Sequence, residues 1–76
     1  MTSIDLVIPV FNEELTLKTQ VERAIDAIEE SFFGLKWQLI IMDNGSVDKT
    51  SEIAQEMAAS NDKIKHMVLP SKGVGL

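Results

Sequence analysis

The stretch Trp37-Gln38-Leu39-Ile40-Ile41-Met42-Asp43-Asn44-Gly45-Ser46-Val47-Asp48 decides how the chain is read. Residues 37–42, centred on Leu39-Ile40-Ile41-Met42, form a strand candidate, and Asp43-Asn44-Gly45-Ser46 is a turn cluster. Asp48 then offers a cap for a helix whose Ile53, Ala54, Met57 and Ala58 make a narrow apolar stripe, broken by Ser60-Asn61-Asp62. Residues 64–69 read as a further strand closed by Pro70. Upstream, Ile4-Asp5-Leu6-Val7-Ile8-Pro9-Val10 is a short β-branched run of the kind covered on both faces, with Pro9 near its end because proline lacks an N–H. Asn12 is a candidate N-cap, and Glu13 and Glu14 set negative charge at the positive end of the helix dipole. Leu17, Val21, Ala24, Ile25 and Ile28 follow at helical spacing against a charged face of Lys18, Glu22, Arg23 and Glu29, and Gly34 ends the helical region. The order is β-α-β-α-β, which implies parallel strands joined by right-handed crossovers. It brings three strand ends, residues 10–13, 43–46 and 70–73, to one edge, where open α/β sheets bind ligands.

Composition narrows the chemistry. The chain has 76 residues, enough for one structural unit, and its hydrophobic share of 45% is that of a globular protein. Seven basic against twelve acidic residues give a net charge of −5, which disfavours a nucleic-acid partner. There is no cysteine, hence no disulfide, thiolate nucleophile or zinc–thiolate cluster, and a single His excludes a histidine metal cage. The longest apolar runs fall far short of the ~20 residues that span a bilayer. The first residues lack the basic region of a signal peptide, so a cytoplasmic chain is expected.

Each strand-end residue has two readings. Asp43 fits a carboxylate that accepts hydrogen bonds from a ligand, or an Asx turn bonded to its own backbone. Gly45 fits a positive φ or a close ligand approach. Ser46 and Asp48 read as helix caps. Glu13 fits a dipole complement or a ligand contact, Phe11 a core residue or a ring stacked on a flat ligand, and Lys72 a solvated cation or a phosphate partner. A calcium loop starting at Asp43 fails, because Gly45 and Ala54 occupy positions that need oxygen ligands. Gly73-Val74-Gly75 lacks the third glycine and the position of a dinucleotide fingerprint. Asn44-Gly45-Ser46 fits a glycosylation acceptor without any sign of secretion, and His66 reads as a packed or edge histidine.

Taken together, Val7-Ile8-Pro9-Val10-Phe11-Asn12-Glu13-Glu14 and Leu39-Ile40-Ile41-Met42-Asp43-Asn44-Gly45-Ser46-Val47-Asp48-Lys49-Thr50, followed by Ser71-Lys72-Gly73-Val74-Gly75-Leu76, resemble the opening of a family-2, GT-A-fold, inverting glycosyltransferase. That family commonly starts with a strand ending in Pro-x-Tyr/Phe-Asn-Glu-Glu. A second strand ends in Asp-Asp/Asn-Gly-Ser-x-Asp-x-Thr, and a third leads to a Gly-Lys-Gly-like turn. The resemblance covers the whole chain and extends to sugar synthases of the polyprenyl-phosphate (dolichyl-phosphate) type. It implies an α/β fold: a three-stranded parallel β-α-β-α-β unit over residues 1–76, the first half of a GT-A (Rossmann-like) nucleotide-binding domain.

The resemblance also implies roles. Pro9 and Phe11 would line the base site, Phe11 keeping the stacking face of the more usual tyrosine without its hydroxyl. Glu13 would reach the ribose hydroxyls, and Asp43, with Ile41 beside it, would bond the base edge. Lys72 lies in the turn that serves the base or phosphates. The donor would be a UDP- or GDP-sugar and the acceptor a polyprenyl phosphate, with the full-length parent at the cytoplasmic face of a membrane. The family's Asp-x-Asp metal site follows a fourth strand, so Mg or Mn is expected for the parent and none for this chain. No catalytic residue is assigned, and the chain by itself is expected to be inactive. The alternative is a small non-catalytic nucleotide-binding or structural α/β module. In the sheet it resembles, a further strand flanks the first, so an exposed edge at residues 4–10 is expected to pair with a second copy as a homodimer.

Overall fold

Exposure alternates along the strands with period two, as it must when one sheet face is covered and the other is not. The computed structural model describes residues 3–69 and contains β1 (Ser3–Val10), α1 (Leu17–Ser31), β2 (Lys36–Asp43), α2 (Thr50–Ser60) and β3 (Ile64–Val68). All strands are parallel, in the order β1-β2-β3, with Leu6 opposite Leu39, Ile8 opposite Ile41 and Leu39 opposite Ile64. The β-α-β-α-β unit expected from the sequence is therefore present, in the arrangement of the amino-terminal part of a GT-A domain. With an order that never reverses, right-handed crossovers put both helices on one face.

The core confirms that layering. Leu17, Val21 and Ile28 of α1 and Ala54 of α2 share a single cluster with Val10, Trp37, Leu39, Ile41 and Ile64 from the sheet. Ile4, Leu6 and Ile8 pack against it from β1, and Ala24, Ile25, Ile53, Met57 and Ala58 from the helices. Both predicted helical stripes thus face the core. On the other face, Val7 and Met67 are about half exposed (48% and 52%), and they alternate with the covered residues beside Pro9, Ile40 and Met42. At the opposite end of the sheet from the strand-end loops, the Lys63 ammonium lies 4.7 Å from the centre of the Trp37 ring.

The first helix begins later than its caps predict. Regular α1 starts at Leu17, its first turn holds no acidic residue, and Asn12 does not cap it. Asn12 instead adopts φ 50°, a left-handed conformation that asparagine tolerates better than most residues. That reversal carries the chain off β1 into one isolated helical turn, in which the Glu13 carbonyl accepts the Thr16 and Leu17 N–H groups at 3.1 and 2.9 Å. Glu13 and Glu14 therefore stand before the first turn of α1 rather than in it, and the Glu13 carboxylate meets that turn through the Gln20 side chain. Gly34 (φ 85°) lies beyond Phe32, which closes the helix through its N–H to Ile28.

Leu39 has no exposed surface, whereas Leu15 is 92% exposed. Leu39→Ala is expected to cost about 2–5 kcal/mol in urea unfolding, and Leu15→Ala to stay within about 0.5 kcal/mol. Equal effects would contradict this core.

Candidate functional site

The ends of β1 and β2 give way to two loops, residues 11–16 and 44–49, and neither can satisfy its backbone alone. Parallel pairing runs out just past the strands, with Asn44 N–H donating to Val10 C=O at 2.8 Å. Beyond that point four consecutive N–H groups are taken by side-chain oxygens. Phe11 N–H donates to Glu13 Oε2 (3.1 Å), Asn12 N–H to Ser46 Oγ (2.8 Å), Glu13 N–H to Thr50 Oγ1 (2.7 Å) and Glu14 N–H to Asp48 Oδ2 (3.4 Å). The second loop is held in return, by Val47 N–H to Asn12 Oδ1 (2.8 Å) and Lys49 N–H to Glu14 Oε1 (3.2 Å). The Asn-Glu-Glu and Ser-x-Asp-x-Thr motifs are thus each other's hydrogen-bond partners, and they fasten the two loops into one edge.

This clamp corrects both helix caps expected in the second loop. Ser46 is not a cap, because its hydroxyl is spent on Asn12. Asp48 stands one residue before the Lys49 N-cap of α2, which has no side-chain cap bond; the Asp48 Oδ1 instead accepts the Thr50 N–H (2.9 Å) and the Thr50 hydroxyl (2.5 Å). Thr50 is fully buried, and its single hydroxyl both donates to Asp48 and accepts from Glu13.

The predicted site residues gather around this edge to different degrees. Phe11 is 40% exposed just past β1, so it is not a core residue. Pro9 lies on the open sheet face opposite Met42. Glu13 is half-buried, its Oε1 accepting the Gln20 side-chain amide at 2.5 Å. Asp43 is 1% exposed and its Oδ1 accepts the Ser46 N–H at 2.9 Å, a bond to its own backbone three residues on rather than the two of an Asx turn, with Gly45 supplying φ 82°. Ile41 is wholly buried in the core, two residues before Asp43 on the same face. Lys72 lies outside the described residues. Beside the clamp is a concavity of ≈ 440 Å³ lined by Asn12, Glu13, Glu14, Leu15, Thr16 and Asp48, which shares only Glu13 with the predicted set.

Two contributors escaped the sequence reading. Thr50 was visible only as a motif letter, and Gln20 not at all. Gln20 lies seven residues beyond Glu13 and four beyond Thr16, and a long helical side chain leans toward the helix N-terminus. That spacing is the signal that could have found it. His66, on the half-buried side of edge strand β3 opposite Ile41, has its Nε2 buried without a partner among the described residues. It is packed rather than engaged at the edge.

Oxygens of Glu13, Asp43 and Asp48 already accept N–H donors, and among the described residues no group of three or more His, Cys, Asp or Glu could hold a metal ion. Nor, among those residues, is any helix long and apolar enough to cross a membrane.

Sequence comparison makes the class of this parallel β-α-β-α-β unit specific. The chain matches glycosyl transferase family 2 over residues 5–76 and belongs to that family. Among its relatives is the undecaprenyl-phosphate 4-deoxy-4-formamido-L-arabinose transferase of Pectobacterium carotovorum, 36% identical over 66 residues. The enzyme of the same name from Pectobacterium atrosepticum is equally similar, and glycosyltransferase AglD of Haloferax volcanii is 30% identical over 63 residues. These alignments cover 87%, 87% and 83% of the chain but only 19%, 19% and 10% of the relatives, so the chain spans a fifth or less of their length.

Asp48 makes the clamp sensitive to acid. Burial is the largest influence on its carboxyl and acts to raise the pKa. Hydrogen bonds from the Thr50 hydroxyl, from the Thr50 and Glu14 N–H groups and from its own N–H together outweigh burial and hold it below the usual value. A depressed folded pKa contributes stability that is present above the unfolded value and lost as pH falls through the folded one. Unfolding measured against pH should show stability declining below about pH 4. Asp48→Asn should be less stable at neutral pH and decline less steeply in acid; an unchanged acid limb would contradict the assignment.

Proposed function

We propose that this chain supplies the donor-binding edge of a glycosyltransferase that passes a sugar from a UDP- or GDP-sugar to a polyprenyl phosphate. The observation that carries the proposal is the clamped strand-end edge, with Phe11 40% exposed just past β1 and the Glu13 and Asp43 carboxylates each accepting a loop N–H. Carboxylates accept from ribose hydroxyls and from base N–H groups and repel phosphate, so this edge suits the nucleoside end of the donor. An aromatic face in a strand-end loop suits stacking on the base. Pro9 flanks the base, Ile41 backs Asp43 from within the core, and Lys72 serves the base or phosphate side. The polyprenyl-phosphate acceptor is supported by the names of the undecaprenyl-phosphate transferases it resembles, and the working position proposed with it is the cytoplasmic face of a membrane. Mg or Mn, together with the catalytic base, belongs to parts of the enzyme outside residues 1–76. Residues 1–76 by themselves bind without turnover, so binding is the property to measure.

Calorimetric titration with UDP and GDP tests the site. Glu13→Ala and Asp43→Ala should each weaken binding by about 1–3 kcal/mol, and Phe11→Ala by about 1–3 kcal/mol through lost stacking. Affinities equal to that of the unsubstituted chain in all three would move the site elsewhere.

For assembly, we propose a homodimer through β1. Among the described residues this strand pairs only with β2, so its outer edge offers N–H and C=O groups for antiparallel pairing with a second copy. Sedimentation at micromolar concentration should give twice the chain mass, and a clean monomer mass would overturn the dimer.

A further inference from the structure

Glu13 is fixed from two directions, and neither restraint comes from its own strand. Its backbone N–H is tied to Thr50 Oγ1 at 2.7 Å, and that hydroxyl is oriented by donating to Asp48 Oδ1. Its carboxylate is tied to the Gln20 amide at 2.5 Å, and the same Gln20 nitrogen reaches Thr16 Oγ1 at 2.9 Å. The other carboxylate oxygen accepts Phe11 N–H. An ionised carboxylate has about four acceptor sites, so these bonds orient the group and leave capacity for two further donors.

We infer that Gln20 and Thr50 are positioning residues that pre-set Glu13 to receive the two hydroxyls of a ribose, Gln20 by aiming the carboxylate and Thr50 by anchoring the backbone that carries it. The inference rests on the nucleotide-binding function proposed above. Its physical content is pre-organisation. A glutamate has three side-chain torsions, and immobilising them before the ligand arrives removes an ordering cost from binding. With Thr50 fully buried and its hydroxyl held by Asp48, the loop backbone cannot drift without leaving the part-buried Glu13 N–H unpaired.

The readout that separates positioning from plain stability is the ratio of affinities for a nucleoside diphosphate and for its 2′,3′-dideoxy analogue. A site that bonds hydroxyls discriminates against a ligand that lacks them. The unsubstituted chain should favour the ribonucleotide by about tenfold or more, the equivalent of a charge-assisted hydrogen bond. Gln20→Met and Thr50→Val should bring that ratio toward one while dideoxynucleotide affinity holds, and Thr50→Ser, which restores the hydroxyl, should recover it. Merely structural residues would weaken both ligands together and leave the ratio intact, and that result overturns the inference while nucleotide binding stands. A chain that binds the nucleotide without ribose discrimination overturns it as well. No nucleotide binding at all would remove the proposed function itself, and the inference with it. Should Thr50→Val fail to fold, Gln20→Met, at a half-buried helical position, carries the test.

Discussion

The N–H groups of residues 11–14 follow the last strand pairing and precede the regular helix, so no secondary structure receives them. Leaving such groups without partners in a partly buried loop costs about 1–3 kcal/mol each. Oxygens of Ser46, Asp48 and Thr50 take three of them, and the Glu13 carboxylate takes the fourth. The rest of the edge depends on this exchange. It fixes the distance between the two loops, it turns the Glu13 carboxylate toward Gln20, and it leaves Phe11 half-exposed at the rim.

The same exchange alters how the motif residues divide between framework and ligand. Asn12, Glu14, Ser46, Asp48 and Thr50 are consumed in holding loop to loop. Glu13 remains with acceptor capacity to offer, Phe11 stays partly exposed at the rim, and Asp43 lies buried beneath them. A motif that looks like a row of ligand contacts is, over much of its length, the scaffold that presents a few of them. Sites held by such supporting hydrogen bonds keep their geometry before a ligand arrives.

The sheet has two unlike faces. Both helices cover one, whereas on the other Val7, Pro9, Ile40, Met42 and Met67 form an apolar surface with no described element over it. Parallel sheets are ordinarily covered on both faces. The apolar run in β1 was read from the sequence as a strand of that kind; here its alternate residues, Ile4, Leu6 and Ile8, face the core, and Val7 and Pro9 face out.

Much of the fold was legible because it is local. The apolar runs of β1 and β2, the stripe Leu17, Val21, Ile28 of α1 and the turn chemistry of Asp43-Asn44-Gly45-Ser46 each declare themselves within a few residues. With the alternation of strand and helix, they also imply parallel pairing through right-handed crossovers. What the sequence left open was the partner of each polar group in the loops. Asn12 followed by Glu13 and Glu14 has the local pattern of a helix start, yet the side-chain oxygen of Asn12 meets Val47, 35 residues away. Ser46 has the pattern of a cap, yet serves Asn12, 34 residues back. Gln20 was marked only by its spacing from Glu13 and Thr16 and Thr50 only as a motif letter, and it is the packing of α2 beside α1 on a shared sheet that brings Thr50 to Glu13. Periodicity records which face of an element is buried, because burial repeats along the chain. A single hydrogen bond between distant loops does not repeat, so its partners are decided only when the tertiary structure closes.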